Sequence, residues 1–141
     1  MTLGLISCTK RKRNVPCQAR EMYQPSTLFN MAYSYATHHY DSVAILSAKH
    51  GLILPTEQIE PYDTSLNSMR ESERIRWAEN VICQLAGKLP DGLANRKVFF
   101  HAGINYRRHL MPLLESKGIT CHVPLQGLGI GQQMAWYHTH R

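Results

Sequence analysis

The fold is decided first by the stretch Leu3-Gly-Leu-Ile-Ser-Cys-Thr-Lys-Arg-Lys-Arg13, where a short apolar run gives way to small polar residues and then to four consecutive cations. Residues 2–7 have the length and apolar character of a buried strand. Comparable apolar runs recur at 42–47, 97–102 and 119–123. The sequence therefore predicts four strands, each followed by polar residues at its carboxyl end.

Helical patterns separate the predicted strands. Residues 26–39 begin near Pro25 and Ser26, which are typical of helix starts. Residues 104–116 predict a further helix, and 131–137 predict a short closing helix. The predicted buried face of the first helix consists of Leu28, Phe29, Ala32, Tyr33 and Ala36.

The clearest helical pattern lies between the second and third strands. Ser68 and Glu71 fit a capping box, in which the hydroxyl and the carboxylate each bind a free backbone N–H at the helix start. Gly87 and Pro90 predict its end. Its predicted buried face consists of Ile75, Ala78, Val81, Ile82, Leu85 and Ala86.

Strands and helices alternate along the whole chain, which is typical of a parallel sheet. We predict one α/β domain over residues 1–141, with a mostly parallel, roughly four-stranded sheet covered by helices. In such sheets ligands bind beyond the carboxyl ends of the strands. The polar residues that follow the four strands are therefore predicted to share one edge.

The composition indicates a folded, soluble protein, and its charge suggests a polyanionic partner, although a merely basic enzyme explains the charge equally well. Lys and Arg total 16 against 10 Asp and Glu, which gives a net charge of +6 and favours nucleic acid as the partner. No stretch approaches the roughly 18 apolar residues that span a bilayer, and no secretory signal is recognisable, so no membrane association is expected. The four cysteines form no CxxC pair, which indicates reduced, mostly buried thiols in the cytoplasm.

The predicted strand ends supply most of the candidate binding residues. These are Ser7, Cys8 and Lys10 after the first strand, Ser47, Lys49 and His50 after the second, Gly103, Asn105, Tyr106, Arg107 and Arg108 after the third, and Gln126 and Gly129 after the fourth. Gly127, Gly129 and Gly131 resemble a phosphate cradle, but a tight turn explains them equally well. Their spacing and place after the last strand exclude a dinucleotide fold.

The long connection from Ala48 to Leu66 is the most informative segment, because long ordered loops are usually functional. Pro61 favours an extended backbone at Glu60, so that Tyr62 and Asp63 would be presented on a stiff segment. An aromatic ring could stack on a base or sugar, while a carboxylate could stabilise positive charge at an anomeric carbon. Alternatively, Asp63 caps a turn and Tyr62 packs in the core. Glu57 and Glu60 are weaker candidates for the same chemistry.

The eight histidines show no metal-ligand spacing, so neither a metal nor a cofactor is predicted. His50 and His101 lie at strand ends and are candidates for acid–base catalysis or hydrogen bonding. His138 and His140 are expected to be exposed.

Four segments together carry a family resemblance. Leu46-Ser-Ala-Lys-His-Gly-Leu-Ile-Leu-Pro55, followed by Ile59-Glu-Pro-Tyr-Asp63, resembles the Leu-Ser-x-x-Tyr-Gly-Leu-x-x-Pro…Pro-Tyr signature of the YaaA-like superfamily. The chain is most similar to a branch of small stand-alone domains that share three further motifs, here Ser7-Cys-Thr-Lys10, Ala102-Gly-Ile-Asn-Tyr106 and Gly129-Ile-Gly-Gln-Gln-Met-Ala-Trp136. His50 departs from the pattern, because a tyrosine is common there.

The resemblance implies an α/β domain that acts on DNA or on modified bases, including defence glycosylases that remove modified bases from phage DNA. The expected function is a DNA glycosylase that flips its target base into a pocket at the strand ends. Asp63, Tyr62, His50 and Ser47 would be catalytic. Substrate would be bound by Ser7, Cys8, Lys10, Lys49, Gly103, Asn105, Tyr106, Gln126 and Gly129. DNA phosphates would be held by Arg11, Lys12, Arg13, Arg107 and Arg108.

Two other functions remain open at this point. One is a DNA-binding module without turnover, and the other is a hydrolase or transferase of free nucleotides or nucleosides. Lys49 also leaves a lyase reaction possible. Neither the base nor the oligomeric state follows from the sequence.

Overall fold

Seven strands form two sheets in the computed structural model, which describes residues 1–89 and 96–140. The strands are β1 (Thr2–Ser7), β2 (Cys17–Gln18), β3 (Ser42–Ser47), β4 (Gly51–Ile53), β5 (Gln58–Ile59), β6 (Lys97–His101) and β7 (Thr120–His122). The main sheet has the order β4-β3-β1-β6-β7. In it β3, β1, β6 and β7 run parallel, while β4 is antiparallel to β3. The predicted mostly parallel α/β fold is confirmed.

Two pairings were not predicted from the sequence. β4 returns along β3, with Ser47 opposite Gly51, and Gly51 makes this reversal with a φ of 74° that side chains rarely adopt. β2 and β5 form a small separate antiparallel ladder. Both strands of that ladder are two residues long, too short to give a periodic sequence signal.

The helices are α1 (Ala19–Met22), α2 (Thr27–His39), α3 (Glu71–Lys88), α4 (Ile104–Arg107), α5 (Leu110–Glu115) and α6 (Ile130–Thr139), with a 3-10 turn at Leu66–Ser68. α2 packs on β1, β3 and α6, whereas α3 packs on α5 and β4. The chain moves from β1 to β3 in one direction and from β3 to β6 to β7 in the other. Because crossovers are right-handed, these two sets of helices cover opposite faces of the sheet.

The predicted helix at 26–39 is confirmed, and Ser26 caps it by accepting a hydrogen bond from the Phe29 N–H at 3.2 Å. The predicted helix at 104–116 is instead divided into α4 and α5. Pro112 lies inside α5 and supplies no N–H to the preceding turn. This loss explains why the helix does not continue through residues 108 and 109.

The start and the buried face of α3 differ from the prediction. Ser68 belongs to the 3-10 turn, and the helix begins where the Glu73 carboxylate accepts a hydrogen bond from the Arg70 N–H at 3.1 Å. Ile75 and Ala86 are exposed. The face on the sheet is centred on Trp77, whose indole N–H donates to the Ser47 carbonyl at 2.9 Å. The helix continues through Gly87 to Lys88, and Pro90 lies outside the described residues.

None of the helices in the described part of the chain is long and apolar enough to cross a membrane. The four cysteines are free: Cys8 and Cys17 are buried, Cys121 is partly buried and Cys83 is exposed. The expectation of mostly buried, unpaired thiols is therefore confirmed, and Cys83, on the outer side of α3, is the exposed exception.

Candidate functional site

The order of the strands creates a crevice between β1 and β6. The connection after β1 runs to β3 on one side, and the later strands β6 and β7 lie on the other side of β1. The carboxyl ends of β1 and β6 therefore meet where the direction of winding reverses. In open α/β sheets this switch point is the usual place for a ligand.

A cavity of about 520 Å³ lies at this switch point. After β1 it is lined by Cys8, Thr9, Lys10 and Lys12, after β5 by Asp63, Thr64, Ser65 and Asn67, and after β6 by Tyr106. We call this cavity the cleft. It is large enough for a single nucleotide, given that small-molecule pockets range from about 300 to 1,000 Å³. Hydroxyl, amide, ammonium and carboxylate groups all face it.

A second cavity of about 800 Å³ adjoins the cleft, since both are lined by Lys10, Lys12 and Asp63. Its remaining lining residues are Arg11, Arg13, Asn14, Pro25, Pro61 and Tyr62. We call this cavity the basic groove. Four cations and one carboxylate line it, so its electrostatic potential favours an anionic ligand. Arg13 is partly neutralised by Glu21, which lies 3.5 Å away.

Asp63 is exposed and lines both cavities, while the residue before it is anchored in the core. The Tyr62 hydroxyl accepts a hydrogen bond from the Ser47 hydroxyl at 2.8 Å and lies 2.5 Å from the Tyr23 hydroxyl. The Ser47 oxygen accepts in turn from the His50 N–H at 3.0 Å. Burial raises the pKa of both tyrosines well above the usual range, so their hydroxyls remain protonated.

The ring of Tyr62 also contacts the basic groove. The Lys12 ammonium lies 4.7 Å from the ring centroid, within the range of a cation–π interaction. Since Tyr62 is only 8% exposed, little of its ring is available for stacking on a base. The structure therefore places Tyr62 beneath the site, as a support for Lys12 and Asp63.

Tyr106 reaches the cleft from α4. Its hydroxyl lies 3.1 Å from the Cys8 sulfur, and its ring meets the Trp77 ring edge to face. Burial raises the pKa of Tyr106 above its usual range. Asn105, its neighbour on α4, donates to the Asn67 side chain at 2.6 Å and so joins the two walls of the cleft.

Several predicted residues of the second strand end lie away from the cleft. The His50 ring stands edge-on to the Tyr62 ring. Burial, and to a smaller extent the positive charge of Lys49, lowers the pKa of the His50 imidazole. Lys49 is exposed and Ser47 is fully buried. Neither Lys49 nor His50 lines the cleft or the basic groove. Ser7 is partly buried at the end of β1 and likewise lines neither cavity.

The fourth strand end belongs to a separate, smaller cavity of about 220 Å³. Gly103 and Arg107 line it together with Gly127 and Gln133, while Gln126 and Arg108 are exposed outside it. The Gly129 N–H donates to the Gln132 side chain at 2.9 Å. That donor is therefore occupied by helix capping, which favours the turn interpretation of this glycine over a phosphate cradle.

His101 is buried in an aromatic cluster and does not face the cleft. Its Nε2 lies 2.6 Å from the Tyr40 hydroxyl and its Nδ1 lies 2.7 Å from the Tyr137 hydroxyl. Burial lowers the pKa of its imidazole to about 4. A neutral, fully hydrogen-bonded imidazole at this position stabilises the packing of α6 on the sheet. Glu57 is also structural, because its carboxylate binds the Lys88 ammonium at 2.9 Å and the Leu54 N–H at 2.8 Å.

Sequence reasoning missed several contributors to the site: Thr64, Ser65 and Asn67 line the cleft, Asn14 and Pro25 line the basic groove, and Tyr23 supports the site from below. The first three follow Asp63 in a short polar run, which was the available signal. No sequence pattern indicated Tyr23, because its hydrogen-bond partner Tyr62 lies 39 residues away in the chain.

The family model described as a family of unknown function, DUF6884, matches residues 3–139. The chain belongs to this family. No curated protein matches it significantly, and neither does any solved structure. The part of this DUF6884 domain that the family model matches includes every residue that lines the cleft and the basic groove.

Proposed function

We propose that this DUF6884 domain hydrolyses the N-glycosidic bond of a modified base in DNA. The observation that carries the proposal is the position of Asp63, an exposed carboxylate that lines two adjoining cavities together with Lys10 and Lys12. A nucleotide is an anion beside a sugar whose anomeric carbon becomes positive during hydrolysis. The cations suit the first feature and the carboxylate suits the second.

In the proposed reaction the target nucleotide is flipped out of the duplex and occupies the cleft. Lys10 and Lys12 hold its phosphate, and Arg11 and Arg13 bind flanking phosphates along the basic groove. Asn67 supplies an amide that can read the edge of the base, Asn105 holds that amide by its hydrogen bond, and Tyr106 forms the aromatic wall. This arrangement leaves the Asp63 carboxylate beside the sugar.

The C1′–N bond then breaks, and its electron pair leaves with the base, which takes up a proton. Asp63 stabilises the oxocarbenium character at C1′ and accepts a proton from the attacking water. The new bond joins C1′ to the water oxygen, and the products are the free base and an abasic site. No covalent enzyme intermediate is required, so the proposed enzyme is a monofunctional glycosylase.

The proposal includes a relationship to the YaaA-like superfamily, a cytoplasmic location and a role in antiviral defence. The superfamily relationship is supported by three of the motifs that carry the resemblance, because each contributes to one cleft. Lys10 comes from the Ser7–Lys10 motif, Asp63 from the Ile59–Asp63 motif and Tyr106 from the Ala102–Tyr106 motif. The fourth motif, which begins at Gly129, contributes to the packing of α6 instead.

The test is base release from defined DNA. Duplex oligonucleotides that carry a 5-substituted cytosine, a 7-deazaguanine or only the four ordinary bases are incubated with the protein and treated with alkali, which breaks the strand at abasic sites. We expect cleavage of a modified duplex, and a loss of about 100-fold or more in rate for Asp63→Asn, as for removal of a group that stabilises transition-state charge.

Glu60→Gln is the matched control, since Glu60 is an exposed carboxylate of the same loop that lines neither cavity. Its activity should equal that of the parent. Salt-sensitive DNA binding without cleavage of any duplex would instead indicate a binding module. Base release from free nucleotides alone would indicate a small-molecule hydrolase. Equal loss in the two variants would remove Asp63 from the mechanism.

A further inference from the structure

We propose that the buried hydroxyls of Tyr23, Tyr62 and Ser47 form a positioning device that holds Asp63 and Lys12 in their working places. The kinetic part of this inference rests on the proposed function, whereas the structural part does not. None of the three hydroxyls touches the reacting atoms. They act through the backbone and the ring of Tyr62.

The hydrogen bonds run in one direction. The His50 N–H donates to Ser47 Oγ at 3.0 Å, and the Ser47 hydroxyl donates to the Tyr62 oxygen at 2.8 Å. The Tyr62 hydroxyl, which has thereby accepted one bond, can donate its own proton to Tyr23 at 2.5 Å. This chain of hydrogen bonds joins the carboxyl end of β3, the loop that precedes Asp63 and the segment between α1 and α2.

Because the three hydroxyls are buried, this chain of hydrogen bonds favours one position of the Tyr62 side chain. Tyr23 and Ser47 are 0% exposed and Tyr62 is 8% exposed. A buried hydroxyl is costly unless it is hydrogen-bonded, so a position of Tyr62 that broke these bonds would leave polar groups without compensation. A phenylalanine could fill the same volume without that requirement. The hydroxyls therefore select one position of the Tyr62 side chain among those that apolar packing would allow.

The position of the Tyr62 side chain determines the positions of the Asp63 carboxylate and the Lys12 ammonium. Asp63 follows it directly in the chain, and the Lys12 ammonium lies 4.7 Å from its ring centroid. A carboxylate and a cation are thus positioned by one side chain. A charge that is displaced by about 1 Å can cost about 100-fold in rate, which gives this positioning a catalytic value.

The experiment compares Tyr62→Phe and Tyr23→Phe with the parent, and uses Tyr137→Phe as the matched control. Tyr137 is 4% exposed and its hydroxyl also makes one short hydrogen bond, at 2.7 Å to His101, but it lines neither the cleft nor the basic groove. Two quantities are measured: backbone ¹⁵N order parameters at residues 62–65, which all carry a backbone N–H, and kcat and KM for base release. Thermal unfolding shows that each variant is folded.

We expect the order parameters of residues 62–65 to fall from about 0.85 to below about 0.6 in Tyr62→Phe and Tyr23→Phe and to stay unchanged in Tyr137→Phe. We expect kcat to fall about tenfold with KM nearly constant, and a tenfold fall corresponds to about 1.4 kcal/mol of transition-state stabilisation. Unchanged order parameters in both variants would overturn the inference, even if kcat fell. If the order parameters fall in these two variants while the parent releases no base, the positioning device is supported and the proposed function is refuted.

Discussion

Removal of two cations from the basic groove should weaken DNA binding and make the binding constant less dependent on salt concentration. Arg11 and Arg13 line that groove and are exposed. Each phosphate contact that is lost lowers the slope of log K against log [salt] by about 0.9 for duplex DNA. Arg11→Ala/Arg13→Ala should therefore reduce the slope by about 1.8.

The matched control is Lys97→Ala/Lys117→Ala, which removes the same net charge. Both lysines are exposed, and both lie near the amino ends of their strands, Lys97 at the start of β6 and Lys117 three residues before β7. They are thus at the opposite edge of the sheet from the cleft. Their removal should change the slope by much less than one contact.

The assay is fluorescence anisotropy of a labelled duplex of about 20 base pairs between about 50 and 200 mM NaCl, the range over which several phosphate contacts change affinity measurably. Folding should be preserved in the groove variant, because the ion pair of Arg13 with Glu21 is exposed at 41% and 36% and such pairs contribute about 0–1 kcal/mol. Equal slopes for the two double variants would refute the assignment of the basic groove to DNA phosphates.

Three further outcomes follow from the described contacts. Gly51→Ala should lower the free energy of unfolding by about 1–3 kcal/mol, because φ is 74° and the new methyl would collide with the Gln84 side chain. Gly87→Ala should raise the free energy of unfolding by about 0.5–1 kcal/mol, because this glycine lies in α3 with open space around it. Urea titration measures both changes. His101 has a pKa lowered from 6.5 to about 4, so the unfolded chain binds the proton more readily and stability should decline as the pH falls from about 6.5 to about 4, by up to about 3 kcal/mol. His101→Gln should flatten that part of a plot of urea midpoint against pH. Cys83 should react with an aromatic disulfide reagent before the other three thiols, because it alone is exposed.

The main sheet was largely predictable from the sequence. The apolar runs at β1, β3, β6 and β7 are local features, and the helical patterns between them impose parallel pairing. β4 was not predictable in the same way. Its three residues are too few to show a periodic pattern, and the positive φ of Gly51 turns them back onto β3.

The candidate site was predictable in part. Because parallel strands end at one edge, Lys10, Asp63 and Tyr106 could be expected near one another, and they do line one cleft. His50 and Gly129 follow strands of the same edge but contribute to local packing. Sequence position alone did not separate these cases, because it determines the edge of the sheet and leaves the direction of each side chain open.

Thus the sequence by itself determined the order of the four parallel strands and the main helices between them, the excess of positive charge, and the edge of the sheet at which polar residues collect. Periodicity and composition are properties of neighbouring residues, so they need no tertiary information. Only the tertiary structure decided that Asp63 is exposed and lines the cleft together with Lys10 and Lys12, while Tyr62, one residue earlier, is buried. That choice depends on contacts between segments far apart in the chain, the Cys17–Ile59 pairing and the Tyr23–Tyr62 hydrogen bond.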